Sequence, residues 1–236
     1  MRKENYFLKF WPVYLITSAI FLSLLLSTDK AVTVFSENKS ITRENTIVID
    51  AGHGGEDGGA ISVSGIPESQ INLKIALRLN DLLHLLGYQT VMIRSTDISV
   101  YTDGNTLFAK KISDLKQRVY ITNKTNGAIL LSIHQNTFSD QRYSGAQVFY
   151  APTITSRELA INLQSAFVKT CNPTSNRKAK PADGIYLMQH ITCPGILIEC
   201  GFLSNPTEEA NLRTKDYQNR LCCVIAAVLG NYLEEE

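Results

Sequence analysis

The feature that most constrains the fold is an alternation between short runs rich in β-branched residues and longer segments with a helical period. Six runs have the length of strands: residues 47–50, 89–94, 129–133, 146–150, 185–188 and 196–199. Strand–helix alternation predicts an α/β domain with a largely parallel sheet. Runs 129–133 and 146–150 follow each other without a helix between them, which indicates that the sheet is mixed.

The intervening segments carry apolar residues at helical spacing. The first has an apolar stripe from Ile71 to Leu86 and is expected to end at Gly87. The second is predicted to follow Ser113, a candidate N-cap, and the third follows Ser156. The last helix is striped by Leu221, Ile225, Val228 and Leu229. Residues 98–112 fit neither pattern and predict a polar surface insertion, of the kind that often borders a binding site.

An uncharged stretch spans residues 10–28, directly after Arg2, Lys3 and Lys9. Such a stretch can cross a hydrocarbon core of about 30 Å as a helix, and no clean small-x-small cleavage motif follows it. We therefore expect an uncleaved signal anchor, residues 1–28, and a polar linker, residues 29–45. The basic N-terminal flank predicts that residues 46–236 lie on the extracytoplasmic side of a membrane.

Length and charge narrow the class of protein further. A chain of 236 residues is long enough for one sizeable domain and an appendage. The formal net charge is +1 and no long basic run is present. We therefore expect no nucleic-acid partner.

A histidine, His53, stands in a glycine-rich loop directly after the first predicted strand. Such a loop could cradle a dinucleotide, but the G-x-G-x-x-G spacing from Gly52 requires a glycine where Asp57 stands. Glu56 and Asp57 would also repel phosphate. The glycines are better explained as allowing a tight turn that points His53 into a cleft.

Two further residues, Glu68 and His134, could join His53. Each has an ordinary explanation: a carboxylate in a first helical turn is favourable with the helix dipole, and a histidine ending a strand is usually a satisfied polar residue. Two histidines at the carboxyl ends of α/β strands, with a carboxylate nearby, favour a ligand site instead. A His₂-Glu set is the protein part of several catalytic zinc sites.

Glu199 ends the apolar run 196–198 and precedes Cys200 and Gly201. An ionised glutamate in apolar surroundings is costly unless it has a task. Such surroundings raise the pKa of a carboxyl group, which suits proton transfer beside a metal.

These four motifs, in this order and spacing, resemble the zinc-dependent N-acetylmuramoyl-L-alanine amidases of the AmiC-like type, over residues 46–233. The resemblance implies a six-stranded mixed sheet flanked by helices and hydrolysis of the amide bond between N-acetylmuramic acid and L-alanine in peptidoglycan. It implies one Zn²⁺ per chain, bound by His53, Glu68 and His134, with Glu199 catalytic. Gln189 departs from the family pattern, in which a basic residue is frequent near the site.

Within this family, the chain is similar to the germination-specific type of spore formers. The similarity lies in the predicted anchor, in a catalytic domain without wall-binding repeats, and in segments 145–150 and 198–205. That similarity implies action on spore-cortex peptidoglycan before muramic-δ-lactam formation, and a place between the forespore and mother-cell membranes. A catalytic domain without wall-binding repeats is also compatible with an activator protein as partner. Two alternatives stay open: a zinc peptidase that cuts peptidoglycan stem peptides, and a non-catalytic wall-binding module.

Overall fold

The computed structural model describes residues 45–234. The predicted anchor, residues 1–28, and all but the last residue of the predicted linker lie outside the described residues. Within residues 45–234, no helix has both the length and the apolar character needed to span a membrane.

Six strands form one sheet, in the order β2-β1-β3-β6-β4-β5. Their bounds are β1 (Thr46–Ala51), β2 (Gln89–Met92), β3 (Ala128–Asn136), β4 (Gln147–Tyr150), β5 (Lys180–Pro181) and β6 (Gly195–Phe202). The helices are α1 (Glu68–Leu85), α2 (Leu107–Lys124), α3 (Ile154–Thr170), α4 (Tyr186–His190), α5 (Pro206–Leu212) and α6 (Lys215–Glu234).

The sheet is mixed. Strands β2, β1, β3 and β6 run parallel to their neighbours, whereas β4 is antiparallel to β6. The chain goes from β3 to β4 without a helix, and β4 pairs with β6 rather than with β3. The predicted α/β fold with a six-stranded mixed sheet is confirmed.

Alternate residues of the central strands supply the two faces of the sheet. On β1, Ile47 and Ile49 pack in the larger apolar core with α1, α3 and α6, whereas Val48 points to the smaller core on the other face. Full burial of each such side chain contributes about 1.5–3 kcal/mol. Because β1, β3 and β6 are parallel neighbours, their carboxyl ends meet at one edge, and the candidate site lies there.

The prediction of a strand at residues 185–188 is wrong. These residues enter the short helix α4, in which Leu187 and Met188 are buried. A short apolar run cannot be told from a buried helical turn by its pattern. The remaining strand is β5, two exposed residues that include a proline and carry no sequence signal.

The prediction that α2 follows Ser113 is also wrong. The N-cap is Thr106, whose hydroxyl accepts a hydrogen bond from the backbone N–H of Ala109 at 3.1 Å. Ser113 lies inside the helix, where its hydroxyl accepts backbone N–H groups of the preceding loop. Residues 107–112 of the predicted insertion are therefore the first turns of α2, and residues 98–106 form the loop.

Candidate metal centre and catalytic site

The loop after β1 holds His53 in an unusual backbone conformation. Its φ is 61°, and among residues 45–234 no other non-glycine residue has a positive φ. A left-handed conformation costs on the order of 1–3 kcal/mol and persists only where surrounding contacts impose it. Gly54 and Gly55, which follow, also have positive φ and complete the tight turn.

Two buried arginines impose that conformation. Arg118 donates to the backbone carbonyl of His53 at 2.8 Å and forms an ion pair with Asp50 on β1. Arg94 donates to the carbonyls of Ala51 and Gly52, at 2.7 and 2.9 Å. The contacts of both arginines with the backbone and with Asp50 favour a structural role over the binding of substrate carboxylates.

Three potential ligand side chains converge beside this loop. The available donor atoms of His53, Glu68 and His134 all lie within 4.8 Å of one another. Nε2 of His53 is 3.2 Å from Oε2 of Glu68, and Nδ1 of His134 is 3.1 Å from Oε1. The structure thus brings together the three residues that the sequence singled out, although 66 residues separate Glu68 from His134.

Two glycines make room for this convergence. A Cβ at Gly52 would lie 2.2 Å from the imidazole of His134. At Gly59, where φ is +69°, a Cβ would lie 2.6 Å from a carboxylate oxygen of Glu68 and 2.7 Å from the ring of His53. Any side chain at either position would displace a candidate ligand.

Glu68 is the centre of the cluster and the first residue of α1. Its side chain is buried, and it accepts backbone N–H groups of Ala60 at 3.1 Å and Gln135 at 3.0 Å. Asn72, one turn along α1, donates to the same carboxylate at 3.1 Å. These bonds hold both oxygens toward the histidines, a precision that a helix-start residue at the surface would not need.

The charge balance of the cluster favours a cation. Although burial opposes the charged form of His53, hydrogen bonds to Asp57 and Glu68 raise the pKa of His53 to about 9. Burial opposes ionisation of Glu68 as well, yet the two imidazoles hold its pKa well below the usual range. Two nitrogen donors and one carboxylate form a donor set that zinc accepts in three-ligand catalytic sites, so the residues present fit a zinc ion.

Asp57 is a candidate site residue that the sequence analysis did not identify. Nδ1 of His53 donates to Oδ2 of Asp57 at 2.9 Å, which leaves Nε2 directed at Glu68. A carboxylate on the far nitrogen of a ligand histidine fixes the ring and its tautomer. The signal in the sequence is that Asp57 follows His53 by four residues in the same glycine-rich loop. The sequence analysis considered Asp57 only as a residue that would repel phosphate.

Glu199 lies on the same face of the sheet as His134. The two residues are register partners on the parallel strands β6 and β3. Oε2 of Glu199 is buried and has no hydrogen-bond partner in the described part of the chain. Burial raises the pKa of Glu199 to about 7, so near neutral pH this carboxyl group can both accept and donate a proton.

A cavity of about 220 Å³ opens over this edge of the sheet. His53 and His134 form part of its wall, and residues 184–187, including the start of α4, form another part. The segment for which the sequence predicted a strand is therefore a wall of the candidate site. The arrangement can hold a cation, admit a substrate and move a proton beside it.

A sequence profile described as N-acetylmuramoyl-L-alanine amidase matches residues 47–231. The chain belongs to the N-acetylmuramoyl-L-alanine amidase family. The predicted family is confirmed, and so is the prediction of an enzyme. This amidase acts on peptidoglycan.

Relatives and solved structures agree with this assignment. The amidase is 38% identical over 192 residues to the germination-specific N-acetylmuramoyl-L-alanine amidase of Bacillus subtilis (strain 168), covering 80% of each chain. It is similar to the CwlD amidase of Clostridioides difficile in complex with the GerS lipoprotein: TM-score 0.78, 37% identity, 81% of this chain and 100% of that one. An N-acetylmuramoyl-L-alanine amidase of Clostridium difficile 630 gives a TM-score of 0.71 at 30% identity, covering 83% of this chain and 100% of that one.

Proposed function

We propose that this amidase is zinc-dependent, with His53, Glu68 and His134 as the ligands and Glu199 as the proton-transfer group. The observation that carries the proposal is the convergence of three donor side chains on the face of the sheet that also carries a buried, unpartnered carboxyl oxygen. Bound there, zinc would supply Lewis acidity toward the scissile carbonyl and lower the pKa of water.

The chain's own residues supply the rest of the chemistry. Ionised Glu199 takes the proton of the attacking water and returns a proton to the amine of the departing L-alanine. Asp57 keeps Nδ1 of His53 protonated, so the lone pair of Nε2 is available to a metal ion. The buried position of Glu199 limits competing hydrogen bonds from bulk water, because Oε2 is shielded from solvent.

Product analysis separates this function from a peptidase that cuts between amino acids. We expect purified peptidoglycan digested with the enzyme to gain L-alanine amino termini, and a chelator to prevent that gain until zinc is restored. New amino termini on other stem residues, with none on L-alanine, would contradict the assigned bond. Full activity in chelator would contradict the zinc requirement.

We propose in addition a role on spore-cortex peptidoglycan, before muramic-δ-lactam is formed. The support is the 38% identity, over 80% of each chain, to a protein described as germination-specific. A strain that lacks the gene is expected to form cortex without muramic-δ-lactam, and unchanged cortex muropeptides would contradict the role. The similar CwlD structure contains a lipoprotein partner, so we propose that this amidase also binds a protein partner.

The proposed location is extracytoplasmic, with residues 1–28 as the anchor, 29–45 as the linker and 46–236 as the catalytic domain. The support is the uncharged stretch 10–28 behind three basic residues. We expect the full-length protein to stay with membranes through carbonate extraction and a chain that starts at Ser36 to be soluble. Recovery of the intact chain, still beginning at Met1, in the soluble fraction would contradict the anchor.

A further inference from the structure

A second groove, with a volume of about 780 Å³, opens beside strand β4. Gln147 forms part of its wall and lies directly opposite Glu199 in the register of β4 and β6. Opposed residues on paired strands have Cβ atoms about 4.5–5.5 Å apart. The groove therefore begins one strand away from the proposed proton-transfer group.

The groove has a positive wall. Arg177, Lys178 and Lys180 contribute to it, and in residues 45–234 none of the three forms an ion pair with a carboxylate. Arg142 also lines the groove, but its charge is paired with Asp140 at 2.7 Å. Because the whole chain carries a formal net charge of only +1, the three unpaired cations are a local concentration of charge.

Arg177 is held in position by neutral groups. Its Nε donates to the backbone carbonyl of Ser144 at 2.9 Å, and its guanidinium carbon lies 4.8 Å from the ring centroid of Phe202. Nη1 is 3.4 Å from the side-chain oxygen of Gln147. The guanidinium also interacts electrostatically with the buried carboxyl group of Glu208, without forming an ion pair with it. Oriented in this way, it is preorganised to bind a carboxylate through two hydrogen bonds.

We propose that Arg177, with Lys178 and Lys180, binds a carboxylate of the peptidoglycan stem peptide, and that this groove is the stem-peptide subsite. Strands are about 4.8 Å apart, so β5 lies about 10 Å from β6. Lys180 stands on β5 and lines the groove together with Arg177. An extended peptide spans about 3.3–3.6 Å per residue, so the second or third residue after the scissile amide reaches this groove. The second residue of the stem is acidic. The inference rests on the proposed function, because it places the reaction at Glu199.

The test compares two stem tripeptides that differ only at the second residue, which carries either a free carboxylate or the corresponding amide. We expect the wild-type enzyme to bind the acid more tightly in a calorimetric titration. Arg177→Gln should weaken binding of the acid about 10- to 100-fold, as for loss of a charge-assisted hydrogen bond, and leave the amide unchanged. Arg220→Gln is the matched control, since that arginine is exposed on α6 and does not line the groove, and it should change neither affinity.

Equal wild-type affinities for the two peptides, or an equal loss of both in Arg177→Gln, would overturn the proposal. If Arg177→Gln does not fold, the double variant Lys178→Gln, Lys180→Gln decides, because both lysines are exposed; it should weaken binding of the acid alone by about 3- to 10-fold. Binding that follows this pattern in an enzyme that releases no L-alanine amino termini would contradict the proposed function and leave the subsite standing.

Discussion

At the scale of single residues, the candidate site depends on four titratable side chains and on the buried arginines that hold the loop around His53. His53, Glu68, His134 and Glu199 stand at strand or helix ends in a pattern that could be recognised, and the structure brings the first three within 4.8 Å. Arg118 and Asp50 are 68 residues apart, and nothing local in the sequence announces that they pair. The roles of His53, Glu68 and His134 as ligands and of Glu199 as proton carrier stay predictions.

Asp57 offers a residue-scale prediction about metal affinity. Asp57→Asn keeps the size of the side chain but weakens the contact with Nδ1 of His53 and no longer fixes the tautomer. We expect zinc affinity to fall about 10- to 100-fold, the usual effect of losing such a partner, when measured by competition with a chromogenic chelator. Asp81→Asn, at an exposed position of α1, is the control and should bind zinc normally. An unchanged affinity in Asp57→Asn would mean that the ring is positioned by other contacts.

The buried pair of Asp50 and Arg118 gives a prediction about pH. Burial opposes ionisation of Asp50, but Arg118 holds its pKa below the usual value. A carboxyl group with a lowered folded-state pKa stabilises the fold above about pH 4 and loses that contribution as pH falls through the lower value. Asp50→Asn should therefore lower the free energy of unfolding by about 3–5 kcal/mol at pH 7, and the difference from wild type should shrink below about pH 4.

Urea unfolding of the zinc-free wild type and of zinc-free Asp50→Asn, at pH 7 and at pH 3, measures the difference in their free energies of unfolding. Asp114→Asn removes the more exposed carboxylate beside Arg118 and should cost less at pH 7. A cost for Asp50→Asn that is the same at pH 7 and pH 3 would contradict the assigned ion pair.

At the scale of elements, long segments with a clear period were predictable and short ones were not. Helix α1 was expected to end at Gly87, and it ends at Leu85, with Gly87 at a positive φ of 81°. The apolar run 185–188 fits a strand or a helical turn equally well, and tertiary packing decides in favour of α4. Strand β5 consists of two exposed residues, so its pairing with β4 is imposed by the sheet rather than by its own sequence.

The two wrong predictions, a strand at residues 185–188 and a start of α2 after Ser113, both concern residues that shape the candidate site. The cavity over β1 and β3 takes part of its wall from residues 184–187. Helix α2 begins about two turns earlier than predicted, and it brings Lys111 within 3.5 Å of Asp57. Fold class could be predicted because it depends on many residues with the same signal. The shape of the cavity could not, because it depends on where two element boundaries fall.

At the scale of the whole molecule, the residues of the candidate site meet at one edge of the sheet. Parallel neighbours β1, β3 and β6 deliver His53, His134 and Glu199 to the same place, and α1 begins there with Glu68. The same edge continues across β4 to the positive groove at Arg177. The proposed metal centre, the proposed proton carrier and the proposed peptide-binding groove therefore follow one another across the sheet, an order that suits hydrolysis of an amide that leads into a peptide.

The measurement that tests this account most directly is zinc content and turnover on peptidoglycan, determined on the same preparation of Glu199→Gln. The neutral amide keeps the shape of the side chain but cannot accept a proton, so zinc should stay near one ion per chain while turnover falls about 10²- to 10⁴-fold. His134→Ala should lose most of its zinc, and His84→Ala and His190→Ala should keep it. Loss of zinc from Glu199→Gln would make Glu199 a ligand, and unchanged turnover would assign proton transfer to another group; either result would contradict the account.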